Sequence, residues 1–325
     1  MTEERIPLLQ VEDLSLEFRT RTGTVRALER VSFEVHKGET LGVVGESGSG
    51  KSVMSYAIMG ILDPSAAVTS GRILFGGIDL LEKAESELQE MRGREMAMIF
   101  QNPRASLNPI RAAGRQIEDV LYRHGNLRGD KLRERAVELL RQVRIPDPER
   151  RFHAYPFELS GGMCQRVLIA MAIASAPWLL IADEPVTGLD VTTQAVIMDL
   201  IDDLARTNHM ATILITHDLG LAAEHCGRIA VMHAGHVVEV AETGRLFRSP
   251  RHPYTAKLIA ATPRPDEGLA ALAAIPGGLP DLRAKLPPCR YSARCERYAR
   301  ACDLGPLPAR EFSPGHRVAC WNPIG

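Results

Sequence analysis

Apolar residues recur at every second position near the start of the chain and later change to three- and four-residue steps. Residues 8–19 and 25–35 carry strand patterns, and residues 40–44 are apolar enough to form a buried strand. Residues 53–62 follow a helical pattern that the next two residues, aspartate and proline, should end. This order predicts an antiparallel strand pair, then a buried strand that leads into a helix.

Short apolar runs and helical periodicity continue to alternate along the chain. Residues 71–80 predict a hairpin that turns at Gly76-Gly77. Further strands are predicted at residues 96–100, 178–182 and 211–215, and helices at 109–144, 167–176 and 191–206. Gly125 and Gly129 should divide the region 109–144 into two helices. The alternation predicts an α/β fold that contains an all-helical insert.

The bulk composition limits the class of protein. The 325 residues exceed one typical domain, so we expect a main domain and an additional piece. With 39 basic and 40 acidic residues the net charge is −1, which argues against a polybasic arm for nucleic acid or anionic lipid. Residues 1–7 lack the apolar core of a signal peptide, and no apolar run is long enough to span a bilayer. We therefore expect the cytoplasm, where cysteines stay reduced.

A glycine-rich loop lies between the predicted strand 40–44 and the helix that follows. The loop fits the pattern G-x-x-x-x-G-K-[ST] with the residues Gly45, Glu46, Ser47, Gly48, Ser49, Gly50, Lys51 and Ser52. Its backbone N–H groups and the helix N-terminus should hold phosphate oxygens. Lys51 should reach the β- and γ-phosphates, and the Ser52 hydroxyl should ligate Mg²⁺. The motif predicts a nucleoside triphosphate site.

Polar residues follow three of the predicted strands at their carboxyl ends, where open α/β sheets gather ligands. After the strand 178–182, Asp183 should hold Mg²⁺ and Glu184 should polarise a water for attack on the γ-phosphate. Gln101 follows the strand 96–100 and is placed to ligate Mg²⁺ or orient that water, although an ordinary loop amide would look the same. His217 follows the strand 211–215 and could bond the γ-phosphate or its attacking water.

Two further features are compatible with nucleotide binding. Ser160, Gly161 and Gly162 precede an apolar helix and form a second possible phosphate site, or simply a helix cap with a glycine turn. Phe18 is an aromatic residue on the first strand that could pack against the adenine ring. A strand core residue would explain Phe18 equally well.

Taken in order, these motifs resemble the ATP-binding subunits of ABC transporters. The resemblance covers about residues 8–255. It is carried by the glycine-rich loop, Gln101, the segment 159–163 with Gln165 and Arg166, the segment 179–185, Asp190 and His217. It implies a phosphate-loop NTPase with a RecA-like core, an antiparallel β-subdomain and a helical subdomain. It also implies head-to-tail pairing with a second ABC ATPase subunit. Each ATP would then lie between one glycine-rich loop and the other subunit's Ser160-Gly161-Gly162, with Asp190 nearby.

A subgroup is indicated by several longer segments. The stretch 158–163 reads Glu-Leu-Ser-Gly-Gly-Met, and it resembles the oligopeptide/dipeptide importers, as do residues 100–109, 252–255 and 275–282. The resemblance implies ATP-driven import of dipeptides and oligopeptides, or of nickel or another small solute. It also implies two transmembrane permease subunits, an extracytoplasmic solute-binding protein and a peripheral position on the cytoplasmic face of the cell membrane. The helical insert, about residues 103–165, should carry the coupling surface. The expected domains are 1–255 for nucleotide binding and 256–325 for a C-terminal extension.

Four of the six cysteines lie in that C-terminal extension: Cys289, Cys295, Cys302 and Cys320. Four thiolates suit tetrahedral zinc or an iron–sulfur cluster, whereas the five- and six-residue gaps between the first three exceed those of zinc-finger pairs. Resemblance to the importers points to a [4Fe–4S] cluster, with Zn²⁺, disulfides or free thiols as alternatives. A different class, a soluble ABC ATPase acting in translation or DNA repair, is disfavoured by the single glycine-rich loop and the absence of long heptad runs.

Overall fold

The structure is a computed structural model, and it describes residues 6–125, 127–262 and 275–325. The chain divides into two compact units. The first unit consists of Met1–Glu82 together with Leu214–Gly325, and the second consists of Lys83–Ile213.

The strands and helices are numbered in chain order. The strands are β1 Leu9–Thr20, β2 Gly23–Val35, β3 Thr40–Val44, β4 Ala66–Phe75, β5 Ile78–Asp79, β6 Met96–Ile99, β7 Leu179–Asp183, β8 Ala211–Thr216, β9 Arg228–His233, β10 His236–Glu242, β11 Ala309–Ser313 and β12 His316–Ala319. The helices are α1 Lys51–Met59, α2 Glu85–Met91, α3 Pro103–Ser106, α4 Ala113–His124, α5 Asp130–Gln142, α6 Pro148–Arg151, α7 Gly161–Ile173, α8 Val191–Asn208, α9 Leu219–His225, α10 Thr243–Arg248 and α11 Pro253–Ala260.

The first unit contains two sets of paired strands. One is an antiparallel sheet in the order β2-β1-β4-β5, and the other runs in the order β11-β12-β10-β9-β3, with β9 parallel to β3. Alternate residues of β1 are buried because one face of this sheet packs on the core. The predicted hairpin is confirmed: β4 and β5 pair across Gly76 and Gly77, whose φ angles are 56° and 83°.

The second unit holds the helical insert and two parallel strands, β6 and β7. Every residue of β7 is buried, as expected for a parallel strand covered on both faces. The prediction of two helices separated by Gly125 and Gly129 is confirmed by α4 and α5.

Two of the predicted helix boundaries that were wrong differ because of a local cap. Helix α1 ends at Met59, since Gly60 adopts a left-handed conformation with φ 64° and its N–H bonds the last carbonyls. Helix α7 begins at Gly161, six residues before the predicted start. The Ser160 hydroxyl caps it by accepting a hydrogen bond of 3.3 Å from the Met163 amide.

The C-terminal extension contributes strands that the sequence pattern did not predict. Strand β12 pairs with both β11 and β10, and Val318 lies opposite Glu239. His316 begins β12, where its side chain is buried and contacts the Glu239 carboxylate at 2.7 Å. None of the helices in the described ranges is long and apolar enough to cross a membrane.

Candidate nucleotide-binding site

The glycine-rich loop connects β3 to α1 through three glycines with positive φ angles. Gly45, Gly48 and Gly50 have φ values of 154°, 79° and 102°, a region that side chains rarely adopt. A Cβ atom at Gly45 would lie 2.1 Å from the Met232 carbonyl oxygen. Glycine is therefore required there both by the backbone conformation and by the close approach of β9.

Lys51 folds back over the loop from the first turn of α1. Its side-chain nitrogen donates hydrogen bonds to the carbonyl oxygens of Gly45 at 2.8 Å and Glu46 at 3.0 Å. The residue is only 5% exposed. The β9–β10 turn also holds the loop, because the Gly235 amide donates a hydrogen bond of 2.8 Å to the Ser49 carbonyl oxygen. These hydrogen bonds preorganise the loop and place the Lys51 ammonium group against the loop's own carbonyl oxygens.

Glu46 makes contacts that the sequence analysis missed. Both of its carboxylate oxygens accept hydrogen bonds from the Arg294 guanidinium, each at 2.9 Å. The His233 ring lies 3.6 Å away, and together His233 and Arg294 hold the pKa of Glu46 at about 2. The Glu46 amide donates to the Tyr254 hydroxyl at 3.1 Å. No local sequence pattern predicts the contact of Arg294 with Glu46, because 248 residues separate the two along the chain.

The acidic pair at the end of β7 differs in exposure and conformation. Asp183 is 2% exposed. Glu184 has a φ of 46°, a left-handed conformation that costs free energy in a non-glycine residue and is common at functional sites. One Glu184 oxygen accepts hydrogen bonds of 2.9 Å from the Gln101 amide nitrogen and the Thr187 hydroxyl. The structure therefore joins two predicted site residues, Gln101 and Glu184, within the second unit.

The segment around Ser160 borders a cavity in the second unit. The cavity measures about 450 Å³ and is lined by Ser160, Gly161, Gly162, Arg166 and Asp190, among others. A Cβ atom at Gly162 would stand 2.7 Å from the Thr193 methyl group, so a side chain there would have to displace Thr193 of α8.

Asp190 caps α8 by accepting hydrogen bonds from the Thr193 amide at 3.0 Å and the Thr193 hydroxyl at 2.6 Å. These two bonds lower the pKa of the exposed Asp190 carboxyl, so it stays ionised.

Phe18 and His217 both belong to the first unit. Phe18 lies on β1 opposite Val25 and Ala66 and is half-buried. His217 is exposed directly after β8, one residue before the Asp218 cap of α9.

Oxygen atoms suited to Mg²⁺ are present among the predicted ligands. Ser52 supplies a hydroxyl at the start of α1, Asp183 a carboxylate and Gln101 an amide oxygen, which are donor types that Mg²⁺ prefers. The Gln101 amide nitrogen is occupied by Glu184, so its oxygen is the atom that could face a cation.

The four cysteines of the extension form a buried thiol cluster. None of the four is joined in a disulfide, and all but Cys295 are buried. Burial, and then the negative charge of the neighbouring thiolates, raises the pKa of Cys289 to about 12 and that of Cys320 to about 11. Metal ligation requires thiolates, and no three His, Cys, Asp or Glu side chains in the described ranges are arranged to hold a metal ion. The expected iron–sulfur or zinc site is therefore not formed in this structure.

Comparison with known proteins identifies the family. Residues 28–187 match the ABC transporter family, and residues 238–302 match the oligopeptide/dipeptide transporter C-terminal region. The chain is 44% identical over 317 residues to the dipeptide transport ATP-binding protein DppD of Escherichia coli K12, covering 98% of this chain and 97% of DppD. The chain belongs to the ABC transporter ATP-binding family. Binding and hydrolysis of ATP coupled to transport are accordingly its activity.

Other relatives agree with this membership. The oligopeptide transport ATP-binding protein OppD of Bacillus subtilis 168 is 47% identical over 317 residues, which cover 97% of this chain and 88% of OppD. Among solved structures, the dimeric cassette MJ0796 in a post-hydrolysis state with ADP and phosphate is similar with a TM-score of 0.65. It is 28% identical and covers 72% of this chain and 98% of MJ0796. The expected ABC-type α/β fold is confirmed.

Proposed function

We propose that this ATPase energises the import of dipeptides or oligopeptides through a membrane ABC permease. The observation that carries the proposal is the match of residues 238–302 to the oligopeptide/dipeptide transporter C-terminal region. Relatives named as dipeptide and oligopeptide transport proteins, similar over nearly the full length, support the same substrate class. The relatives named above do not support the alternative of a soluble ATPase in translation or DNA repair.

Within this function the site residues have separate roles. Residues 45–52 hold the triphosphate, with Lys51 on the β- and γ-phosphates, and Phe18 packs against the adenine. Ser52, Gln101 and Asp183 hold Mg²⁺, which supplies charge neutralisation when bound.

The hydrolytic step is assigned to the end of β7. Glu184 accepts a proton from the water that attacks the γ-phosphorus, and Gln101 and His217 orient that water and the γ-phosphate. The hydrogen bonds from Gln101 and Thr187 support this role, because they fix the Glu184 carboxylate in one position.

The proposal includes a dimer of ATPase subunits. Ser160, Gly161, Gly162 and Asp190 act on the ATP held by the other subunit. The cavity beside the N-terminus of α7 supports this role, since backbone N–H groups at a helix start attract phosphate.

We assign the nucleotide domain to residues 1–255 and the C-terminal extension to residues 256–325. The helical insert, about residues 103–165, docks on the two permease subunits. Exposed apolar side chains in the insert support a docking role, since Ile110 is 85% exposed and Phe157 is 74% exposed and stacks on Tyr155. The protein then lies peripherally on the cytoplasmic face of the cell membrane and works with an extracytoplasmic solute-binding protein.

The cysteine cluster is proposed to take up a [4Fe–4S] cluster, with Zn²⁺ as the alternative. The support is that three of the four thiols are buried and that, besides burial, the charges of Cys295 and Cys302 raise the pKa values of Cys289 and Cys320. Anaerobic purification followed by an absorption spectrum and iron, sulfide and zinc analysis tests it. Brown protein containing iron and sulfide supports the cluster, colourless protein with one zinc favours the alternative, and metal-free protein refutes both.

Copurification tests the proposed transport role. The tagged chain, produced in its native cells and extracted in mild detergent, should copurify with two membrane proteins, and its ATPase activity should rise when peptide-loaded binding protein is added. Ile110→Asp should weaken this association without changing the ATPase activity of the isolated subunit. Recovery only with ribosomes or DNA would refute the proposal.

A further inference from the structure

An arginine of the C-terminal extension holds the glycine-rich loop directly. The two terminal nitrogens of Arg294 donate to the two carboxylate oxygens of Glu46, each at 2.9 Å. This bidentate geometry is the strongest arrangement available to an arginine–carboxylate pair. Glu46 is the second residue of the loop, so the contact acts on the phosphate-binding backbone itself.

Arg294 is fixed by contacts on its other sides. Its Nε donates to the Pro276 carbonyl at 2.8 Å, and its guanidinium lies 5.7 Å from the centroid of the Tyr291 ring. The side chain is only 7% exposed. A guanidinium held in this way needs no reorganisation to bind Glu46, because its rotamer is already set by the extension.

The backbone of the loop is held from the same side. The Glu46 amide donates to the hydroxyl of Tyr254, which is fully buried and packs edge-on against Tyr291 at 5.3 Å. Leu279, also in the extension, has a methyl group 3.3 Å from the point where a Cβ atom of Gly48 would stand. The side chain and the backbone amide of Glu46 are therefore both held by residues beyond position 250.

Glu46 also contacts Lys51, the lysine of the loop. The Glu46 carbonyl oxygen accepts a hydrogen bond of 3.0 Å from the Lys51 side chain. Glu46 thus links Arg294 to Lys51 through one residue.

Charge gives the contact a second consequence. A carboxylate beside a triphosphate would repel it, and pairing with Arg294 removes most of that repulsion.

We propose that Arg294 is a positioning residue of the ATP site, through which the C-terminal extension sets the affinity of the glycine-rich loop for the phosphates of ATP. Arg294 acts through Glu46 and does not touch the nucleotide. The inference rests on the proposed assignment of residues 45–52 as the triphosphate site.

The test measures ATP binding and turnover in the full-length protein. We expect Arg294→Gln to raise the Kd for a fluorescent ATP analogue and the KM for ATP by about 5- to 30-fold, the change that accompanies loss of a charge-assisted hydrogen bond. The kcat at saturating ATP should stay within about twofold, because no group that touches the reacting atoms has changed. Arg283→Gln is the matched control, since Arg283 pairs with Asp281 on the surface of the same extension.

A double variant separates positioning from simple structural support. In Arg294→Gln/Glu46→Gln the unpaired carboxylate is gone, so we expect at least half of the lost affinity, on a logarithmic scale, to return. A structural role alone predicts that the second substitution adds a further loss. That result would overturn the inference, as would an Arg294→Gln variant that binds ATP like Arg283→Gln.

Lys51→Ala separates the positioning role of Arg294 from the assignment of residues 45–52 as the triphosphate site. If Lys51→Ala loses ATP affinity while Arg294→Gln does not, the positioning role is wrong and the triphosphate site stands. If Lys51→Ala binds ATP normally, the assignment of the site itself is wrong. Should Arg294→Gln fold poorly, Arg294→Lys keeps the charge but loses the bidentate pair. It should still weaken ATP binding relative to Arg283→Gln, and wild-type affinity in Arg294→Lys would contradict the bidentate role.

Discussion

The Gln101 amide nitrogen donates a hydrogen bond of 2.9 Å to a Glu184 carboxylate oxygen, and the Thr187 hydroxyl donates to the same oxygen. These bonds fix the carboxylate of a residue whose backbone is already in a left-handed conformation. Glu184→Gln keeps the size of the side chain and removes its capacity to accept a proton. We expect about 10²- to 10⁴-fold slower hydrolysis with ATP binding retained.

Single-turnover hydrolysis and equilibrium ATP binding check this prediction. Glu149→Gln is a suitable control, because Glu149 is an exposed partner of Arg141 in the same unit. Near-normal turnover by Glu184→Gln would show that another group accepts the proton.

Lys51 supplies the buried cation of the loop, and its removal should affect binding. We expect Lys51→Ala to weaken ATP binding by about 10- to 100-fold, the loss associated with hydrogen bonds to a charged group. Isothermal calorimetry with a non-hydrolysable ATP analogue measures the change. Lys83→Ala, which breaks only a surface pair with Glu87, should bind like the wild type. Equal affinity in the two variants would refute the role of Lys51.

Gly162 and Gly161 are neighbours with different amounts of space. A Cβ atom at Gly162 would stand 2.7 Å from the Thr193 methyl group, whereas at Gly161 the nearest atom is 3.4 Å away. The Thr193 side chain cannot rotate freely, because its hydroxyl donates to Asp190. Gly162→Ala should therefore reduce the free energy of unfolding by about 1–3 kcal/mol, as overpacking does, and more than Gly161→Ala.

Urea denaturation compares these variants. Adding Thr193→Ser to Gly162→Ala removes the opposing methyl group while keeping the hydroxyl, and it should recover most of the lost stability. A double variant as unstable as Gly162→Ala alone would place the strain elsewhere.

Glu46 should make the stability of the first unit depend on acid pH. Its pKa is lowered from 4.5 to about 2 by His233 and Arg294, so the folded state favours the carboxylate more than the unfolded state does. The resulting stabilisation is complete above pH 4.5 and is lost as the pH falls towards 2. Glu46→Gln has no carboxyl group to protonate, so it lacks this pH-dependent stabilisation.

The difference in unfolding free energy between wild type and Glu46→Gln should therefore shrink between pH 5 and pH 2. Denaturation at a series of pH values measures it, with Glu82→Gln as an exposed control in the same unit. A difference that stays constant across this range would contradict the ion pair.

The buried thiols should react slowly in the native protein. Because the pKa of Cys289 is raised to about 12 and that of Cys320 to about 11, few thiolates form at pH 8. Iodoacetamide should modify both more slowly than the partly exposed Cys295 in metal-free protein, as measured by peptide mass spectrometry. In urea the three rates should converge, and faster native labelling of Cys289 would show that it is accessible.

Local patterns predicted the residues that depend on local geometry. The phosphate loop, the strand-end positions of Gln101 and Glu184 and the hairpin at Gly76-Gly77 each follow from a short run of sequence. The start of α7 was missed because a serine cap extends a helix beyond its apolar periodicity. The pairing of Glu46 with Arg294 could not be predicted, since the two residues meet only after the chain has folded.

The pairing of β12 with β10 has a consequence for solubility. Strand β12 covers the backbone N–H and C=O groups of β10 near Glu239 and Val240, which would otherwise form an open edge able to recruit strands from other molecules. The outermost strand, β11, instead presents Arg310 and Glu311 to solvent, and charged side chains at an edge discourage such growth. Residues 309–319 thus shield the edge of β10 from pairing with strands of other molecules.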